Sequence, residues 1–219
     1  MENDKIEKNP AARIGRIKED NGRVRWLSEE KESQVREAIA HRAPRHVPAF
    51  ELSIHTGVRA SERFSLRWPQ IDSDRCALTL PRTKNGKPRH VPLNAIALEA
   101  LRTLKHQHEE LNPDSPWVFL NEYGEKLRGH RDWFEPALKE SAVRDYSWHC
   151  NRHTFASRLV MAGVDLRTVG ELLGHRTPGV TWRYSHLAPS HQQQAVDRLV
   201  PAGVRRTQKS VSATRTATG

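Results

Sequence analysis

Residues 149–189, HCNRHTFASRLVMAGVDLRTVGELLGHRTPGVTWRYSHLAP, constrain the fold more than any other stretch of the chain. They read as three helical segments with clear punctuation between them. His149 and Arg152 stand three apart and so share a helix face. Asp165 suits the N-cap of a second helix whose apolar side carries Leu166, Val169, Leu172 and Leu173, and Gly174 suits its stop. His175 follows that stop directly, where a side chain can be aimed at a ligand. Thr177 and Pro178 form an N-cap and N1 pair that opens a third segment, which carries Tyr184.

The remainder reads as support for this stretch. Ser28 before Glu29, Glu30 and Lys31 marks a helix start with acids in its first turn. A helix is expected from about Pro48 to Thr56, stopping at Gly57. A short one should run from Ser61 to Trp68, where Pro69 ends it. From 75 to 93 the period changes to two: Cys76, Leu78 and Leu80 alternate, then Val91 and Leu93. Asn85-Gly86 between them predicts a hairpin, because both residues tolerate positive φ. Lys84 should therefore sit at the hairpin mouth. Asn94 caps a helix to about His108, with Ile96, Leu98, Leu101 and Leu104 inward. Trp117 to Leu120 suits a short strand, and Asp132 to Ser141 a helix. The expected fold is α+β, mostly helical with a small antiparallel sheet. Residues 1–26 read as a polar leader or linker, 27–200 as one domain, and 201–219 as a disordered basic tail.

The 219-residue chain carries 36 Lys and Arg against 26 Asp and Glu, a net charge of +10, which points to a polyanionic partner, nucleic acid first. It contains no apolar run long enough to span a bilayer and no signal-peptide core, so a cytoplasmic location is expected. Cys76 and Cys150 form no CxxC pair and read as buried thiols rather than a disulfide.

HxxR at 149–152, LLGH at 172–175, Tyr184 nine residues after that histidine and SHLAP behind it resemble the C-terminal signature of the phage integrase family, the tyrosine recombinases. TGVRASE at 56–62 and TKNGKPRHVPL at 83–93 resemble the family's two upstream blocks, in the right order. One such motif alone carries little weight; ordered blocks from about Leu27 to Val200 carry a great deal.

The resemblance implies site-specific DNA cleavage and rejoining without metal or cofactor, in recombination or integration. A phosphodiester repels nucleophiles, so such an enzyme must supply fixed positive charge; arginine forks match phosphate oxygens and stay charged. By resemblance Arg59 and Arg152 fill that role and Tyr184 is the nucleophile, forming a 3′-phosphotyrosyl link and releasing a 5′ oxygen. Lys84 is the expected general acid, with Lys87 its competitor. His149 and His175 are expected to hydrogen-bond the phosphate and assist proton transfer, with the base left open between them. Glu62, one turn after Arg59, is expected to orient a cationic group. His153 reads as a structural imidazole beside the site.

Expected partners are double-stranded DNA and further copies of the chain, as a tetramer at synapsis. A helix at 190–200 with Ala195, Val196 and Leu199 apolar would dock on a neighbouring protomer, as the family's C-terminal helix does. A host in bacteria or phage, beside the nucleoid, follows. In the family a helical DNA-binding domain precedes the catalytic one; here the first 26 residues resemble only the tail of that connection, so weaker affinity and sequence choice are expected. Competing readings are an inactive DNA-binding remnant, a relative of type IB topoisomerases, and a metal-dependent phosphoesterase built on His149, Cys150 and His153. Against the last, no HExxH glutamate or distant ligand cluster is present. Cys150 and Asn151 depart from the family pattern, and Asn151 puts an amide where the helix meets the core, which is costly unless it is hydrogen-bonded.

Overall fold

The computed structural model describes residues 24–81, 88–189 and 196. Helix α1 (Glu29–Arg42) starts where Ser28 accepts from the Lys31 amide. Helix α2 (Val47–Thr56) runs into Gly57 at φ +59. A one-turn α3 (Ala60–Arg63) follows Arg59. The expected continuation to Trp68 is absent. Leu66 and Arg67 are instead extended, because they pair across to the 117–118 segment: the Val118 amide donates to Leu66 O at 3.0 Å and Arg67 bridges Trp117. Pro69 sits early in a 3₁₀ turn, Trp68–Gln70, rather than ending a helix.

That turn leads into β1 (Ile71–Asp72), a strand too short to have been expected, which pairs antiparallel with β2 (Ala77–Leu80). β2 pairs antiparallel with β3 (Arg89–Pro92), Leu78 opposite Val91 and Leu80 opposite Arg89. The two-residue period puts Leu78, Leu80, Arg89 and Val91 on the buried face. Cys76 lies outside the strand at φ +49 and is exposed, contrary to the expectation of a buried thiol; among the described residues both cysteines are free. The hairpin turn itself, with Lys84, Asn85, Gly86 and Lys87, lies outside the described residues.

Helix α4 (Ala95–Leu111) is capped by the Asn94 side chain on the Ala97 amide. Its inner side is Ala97, Ala100, Leu101, Leu104 and His108; Ile96, expected inward, is 48 % exposed. Trp117 to Leu120 makes isolated bridges rather than a strand. Then come α5 (Arg131–Glu140), α6 (Cys150–Met161), α7 (Leu166–Leu173) and α8 (Pro178–Trp182).

The main core surrounds α2, which packs on α4 and α6. Trp148 stands in an aromatic cluster with Phe50, Phe64, Trp133 and Phe134, fixing the chain at the entrance to α6. Leu27 is fully buried and its amide donates to Thr154 Oγ1, while Arg25 binds Asp145, so the end of the expected leader packs onto the body. A smaller core joins Ala156, Val160, Val169, Leu173 and Tyr184. The compact unit that holds both cores ends at Ala188. Of the expected 190–200 helix only Val196 is described, as helical and exposed; the tail at 201–219 lies outside the described residues.

Candidate active site

Three arginines from distant parts of the chain converge on the C-terminal end of α7. Arg89 Nη1 donates to Leu172 O at 3.1 Å, Arg152 Nη2 to Leu173 O at 2.6 Å and Arg59 Nη2 to Gly174 O at 3.1 Å. The last carbonyls of a helix lack intrahelical donors and carry the negative end of its dipole, so cations belong there. Arg152 Nη1 also donates to Gly57 O at 2.6 Å, the carbonyl that follows α2. Asp165 caps the start of α7 and fully buried Leu173 anchors its end, the latter contributing about 2 kcal/mol.

Gly174, at φ +65, makes the approach possible. A Cβ there would stand 2.7 Å from Arg89 Nη1 and 2.9 Å from its Cδ. Glu62 links two of the arginines: Oε1 accepts from Arg59 Nη1 at 3.0 Å and Oε2 from Arg89 Nη2 at 2.9 Å. Oε2 also accepts from the Arg59 amide at 3.1 Å. Glu62, expected to orient a cationic group, thus contacts two guanidiniums. Arg89 was not anticipated.

Tyr184 follows α8 and is buried, with its hydroxyl 2.7 Å from His153 Nδ1. His153, a structural imidazole by sequence, is thus in hydrogen-bond contact with the expected nucleophile. His149 stands at the N-cap of α6 with its ring edge-on to His153, centroids 4.9 Å apart. His175 Nδ1 is held by Thr181 Oγ1 at 2.7 Å. Thr181 in turn lies over Gly170, where a Cβ would meet its hydroxyl at 2.8 Å. Asn151 is fully buried and its Oδ1 accepts from the Tyr146 hydroxyl at 2.6 Å, which meets part of the cost its amide raises; among the described residues Nδ2 has no partner.

Electrostatically the cluster sets three guanidiniums against the one carboxylate of Glu62. Burial, then Arg59 and Arg89, push the Arg152 guanidinium down to about 9. Burial, then Arg152 and Arg59, hold His175 at about 4. Burial, then His149, Arg183 and Arg152, do the same to His153, also about 4. His149 is lowered by burial and by Arg152 and Arg59. Burial raises Tyr184, while Arg152 and Arg183 oppose that rise. All three imidazoles are thus neutral at pH 7, able to accept or donate one proton each. Arg59, His149 and Arg152 also line a cavity of about 380 Å³.

Of the expected residues, Arg59, Glu62, His149, Arg152, His175 and Tyr184 occupy one neighbourhood. Lys84 lies outside the described residues. Among the described residues, Glu32, Glu51 and His55 stand at metal-ligand spacing, but Arg36 and Arg158 already pair with the carboxylates, tying α1, α2 and α6 together.

The phage integrase family model matches residues 25–191. The tyrosine recombinase XerC of Lacticaseibacillus casei is 30 % identical over 209 residues, covering 90 % of this chain and 70 % of that protein. The catalytic domain of bacteriophage HP1 integrase superposes with a TM-score of 0.63 at 26 % identity, covering 80 % of this chain and 95 % of that one. The Tn1549 transposon integrase in complex with transposon right end DNA gives a TM-score of 0.70 at 19 % identity, covering 84 % and 68 %.

Proposed function

This chain belongs to the phage integrase family, and on that premise we propose that it is a site-specific recombinase that breaks and rejoins DNA strands through a covalent link to Tyr184. One observation carries the reading: three guanidiniums, only two of them paired with a carboxylate, converge on one helix end beside a buried phenol. Such a site has an excess of fixed positive charge, held by backbone carbonyls that cannot neutralise it. A phosphodiester supplies the missing anion.

In the proposed reaction the scissile phosphate sits against Arg59 and Arg152, with Arg89 and Glu62 keeping Arg59 in place. Tyr184 attacks phosphorus, the Tyr184 oxygen–phosphorus bond forms, and the bond to the 5′ oxygen breaks. The leaving oxygen takes a proton from an acid, for which Lys84 is our candidate. His175, turned by Thr181, and His149 donate hydrogen bonds to the phosphate oxygens. The charge these groups place around phosphorus does what a metal ion does in other phosphoryl transfers. Losing Arg152 should cost roughly 3 kcal/mol, or about a hundredfold in rate.

The partner is duplex DNA, in keeping with the net charge of +10 and with the DNA-bound form of the Tn1549 integrase. Synapsis requires further copies, and exposed Val196 fits a helix that docks on a neighbour. No described helix is long and apolar enough to cross a membrane; we place the protein with the DNA of the cytoplasm.

The test uses a pool of nicked duplexes with randomised cores, incubated with the protein in excess chelator. A protein–DNA adduct stable to denaturation is the expected product. Absence of an adduct, or cleavage that appears only with an added divalent ion, contradicts the proposal.

A further inference from the structure

We propose that His153 takes the phenolic proton of Tyr184 as the tyrosine attacks phosphorus. This rests on the recombinase reading above and assigns a step that reading leaves open. A buried phenol must donate its proton somewhere, and among the described residues the one hydrogen bond of the Tyr184 hydroxyl is to His153 Nδ1, at 2.7 Å. A phenol donating to Nδ1 fixes the imidazole as the tautomer protonated on Nε2, with a free lone pair aimed at the proton to be moved.

The other two imidazoles are placed for different work. His175 Nδ1 is occupied by Thr181, leaving only Nε2 to face a ligand. His149 meets His153 edge-on and lines the cavity with Arg59 and Arg152. His153 lies one helical turn after His149 on the same side of α6, which sets it further along the helix, against Tyr184. The charged and titratable groups facing it are His149 and Arg152 from α6, and Arg183 and Tyr184 from that segment. They and its burial keep it neutral at working pH, and an arriving phosphate anion would offset the arginines and raise its proton affinity as attack begins.

The step balances. The Tyr184 oxygen gains phosphorus and gives its proton to His153 Nδ1; the 5′ oxygen leaves phosphorus and takes a proton from a separate acid. On rejoining, His153 returns the proton to the departing phenolate.

The test compares wild type, His153→Ala and His153→Asn on the nicked duplex that the wild type selects from the randomised pool. Asparagine keeps an acceptor near the Nδ1 position and has no useful proton affinity, so it preserves the buried hydrogen bond. Melting temperature and DNA affinity are read alongside. Adduct formation by both variants is expected to slow about a hundredfold or more, with DNA affinity unchanged. Wild type should be nearly flat from pH 6 to 8, while His153→Asn should gain about tenfold per pH unit, because phenolate must then form by direct ionisation. A variant as fast as wild type, or faster, would make the contact a mere latch and overturn the proposal. So would a slow variant with a flat pH profile. If wild type gives no adduct at all, the recombinase reading fails and this step falls with it.

Discussion

Arg152 and Arg59 donate to consecutive carbonyl oxygens, those of Leu173 and Gly174, at 2.6 and 3.1 Å. Their guanidiniums are therefore spaced by the backbone of one helix end rather than by an acid placed between them. Carbonyls orient a cation without cancelling its charge, and Glu62 offsets only part of the total. The LLGH motif thus has a structural meaning: its Leu172, Leu173 and Gly174 carbonyls seat three arginines, and its histidine follows.

Substituting Gly174 tests that seat. An alanine there must hold φ near +65, which costs about 1–2 kcal/mol. Its Cβ would also push against Arg89, which Glu62 couples to Arg59. We expect Gly174→Ala to lower the melting temperature and to slow adduct formation, with helix content by circular dichroism retained. Wild-type cleavage would show that the seat does not matter.

Thr181 orients His175 through one hydrogen bond. Thr181→Val keeps the shape and removes the bond. Loss of a group that orients a site residue typically costs tenfold to a hundredfold, and that range is expected for the cleavage rate. Stability should fall by only about 1 kcal/mol. Unchanged single-turnover kinetics would remove Thr181 from the mechanism.

Arg63 is fully buried, and among the described residues no carboxylate pairs with it. Its guanidinium lies 4.4 Å from the Phe64 ring centre and 4.1 Å from that of Trp148, yet among the described residues Nε and Nη2 have no hydrogen-bond partner. Cation–π contacts return about 1–2 kcal/mol each when desolvated, less than the several kcal/mol needed to strip an ion of water. Arg63→Met should therefore stabilise the fold by about 1–3 kcal/mol, read as a higher urea midpoint. A lower midpoint would mean that the aromatic box more than offsets the desolvation.

Burial is the leading cause that holds His46, His130, His153 and His175 at about 4, against an ordinary value of 6.5. Between those values the unfolded chain binds protons that the folded chain does not. The resulting stability is fully present above pH 6.5 and is lost as pH falls toward 4. Urea midpoints should drop from pH 7 to pH 5. Equal midpoints would show that these imidazoles are already charged in the fold.

What could be read from the chain alone was what depends on near neighbours. Ser28, Asn94 and Asp165 cap helices by bonding amides three residues on, and Gly57 and Gly174 end them by positive φ. Arg89 carried a usable signal: it shares strand parity with Val91 and Leu93, so an arginine stood on an apolar face. His153 had none that was local, since it takes its role from Tyr184 beyond α8, while the Thr181 contact with His175 depends on how the chain turns between α7 and α8. β1 is two residues long, and Leu66 and Arg67 are extended only because 117–118 pairs with them. Such features follow from contacts between remote segments, which periodicity does not report.

The central claim is that Tyr184 itself becomes joined to DNA. Trapped adduct from a nicked duplex, made in chelator, can be digested with nuclease and trypsin and sequenced by mass spectrometry. A nucleotide-bearing peptide that begins at Tyr184, with no adduct from Tyr184→Phe, is the predicted result. A nucleotide on any other residue, or an undiminished adduct from Tyr184→Phe, would contradict the account.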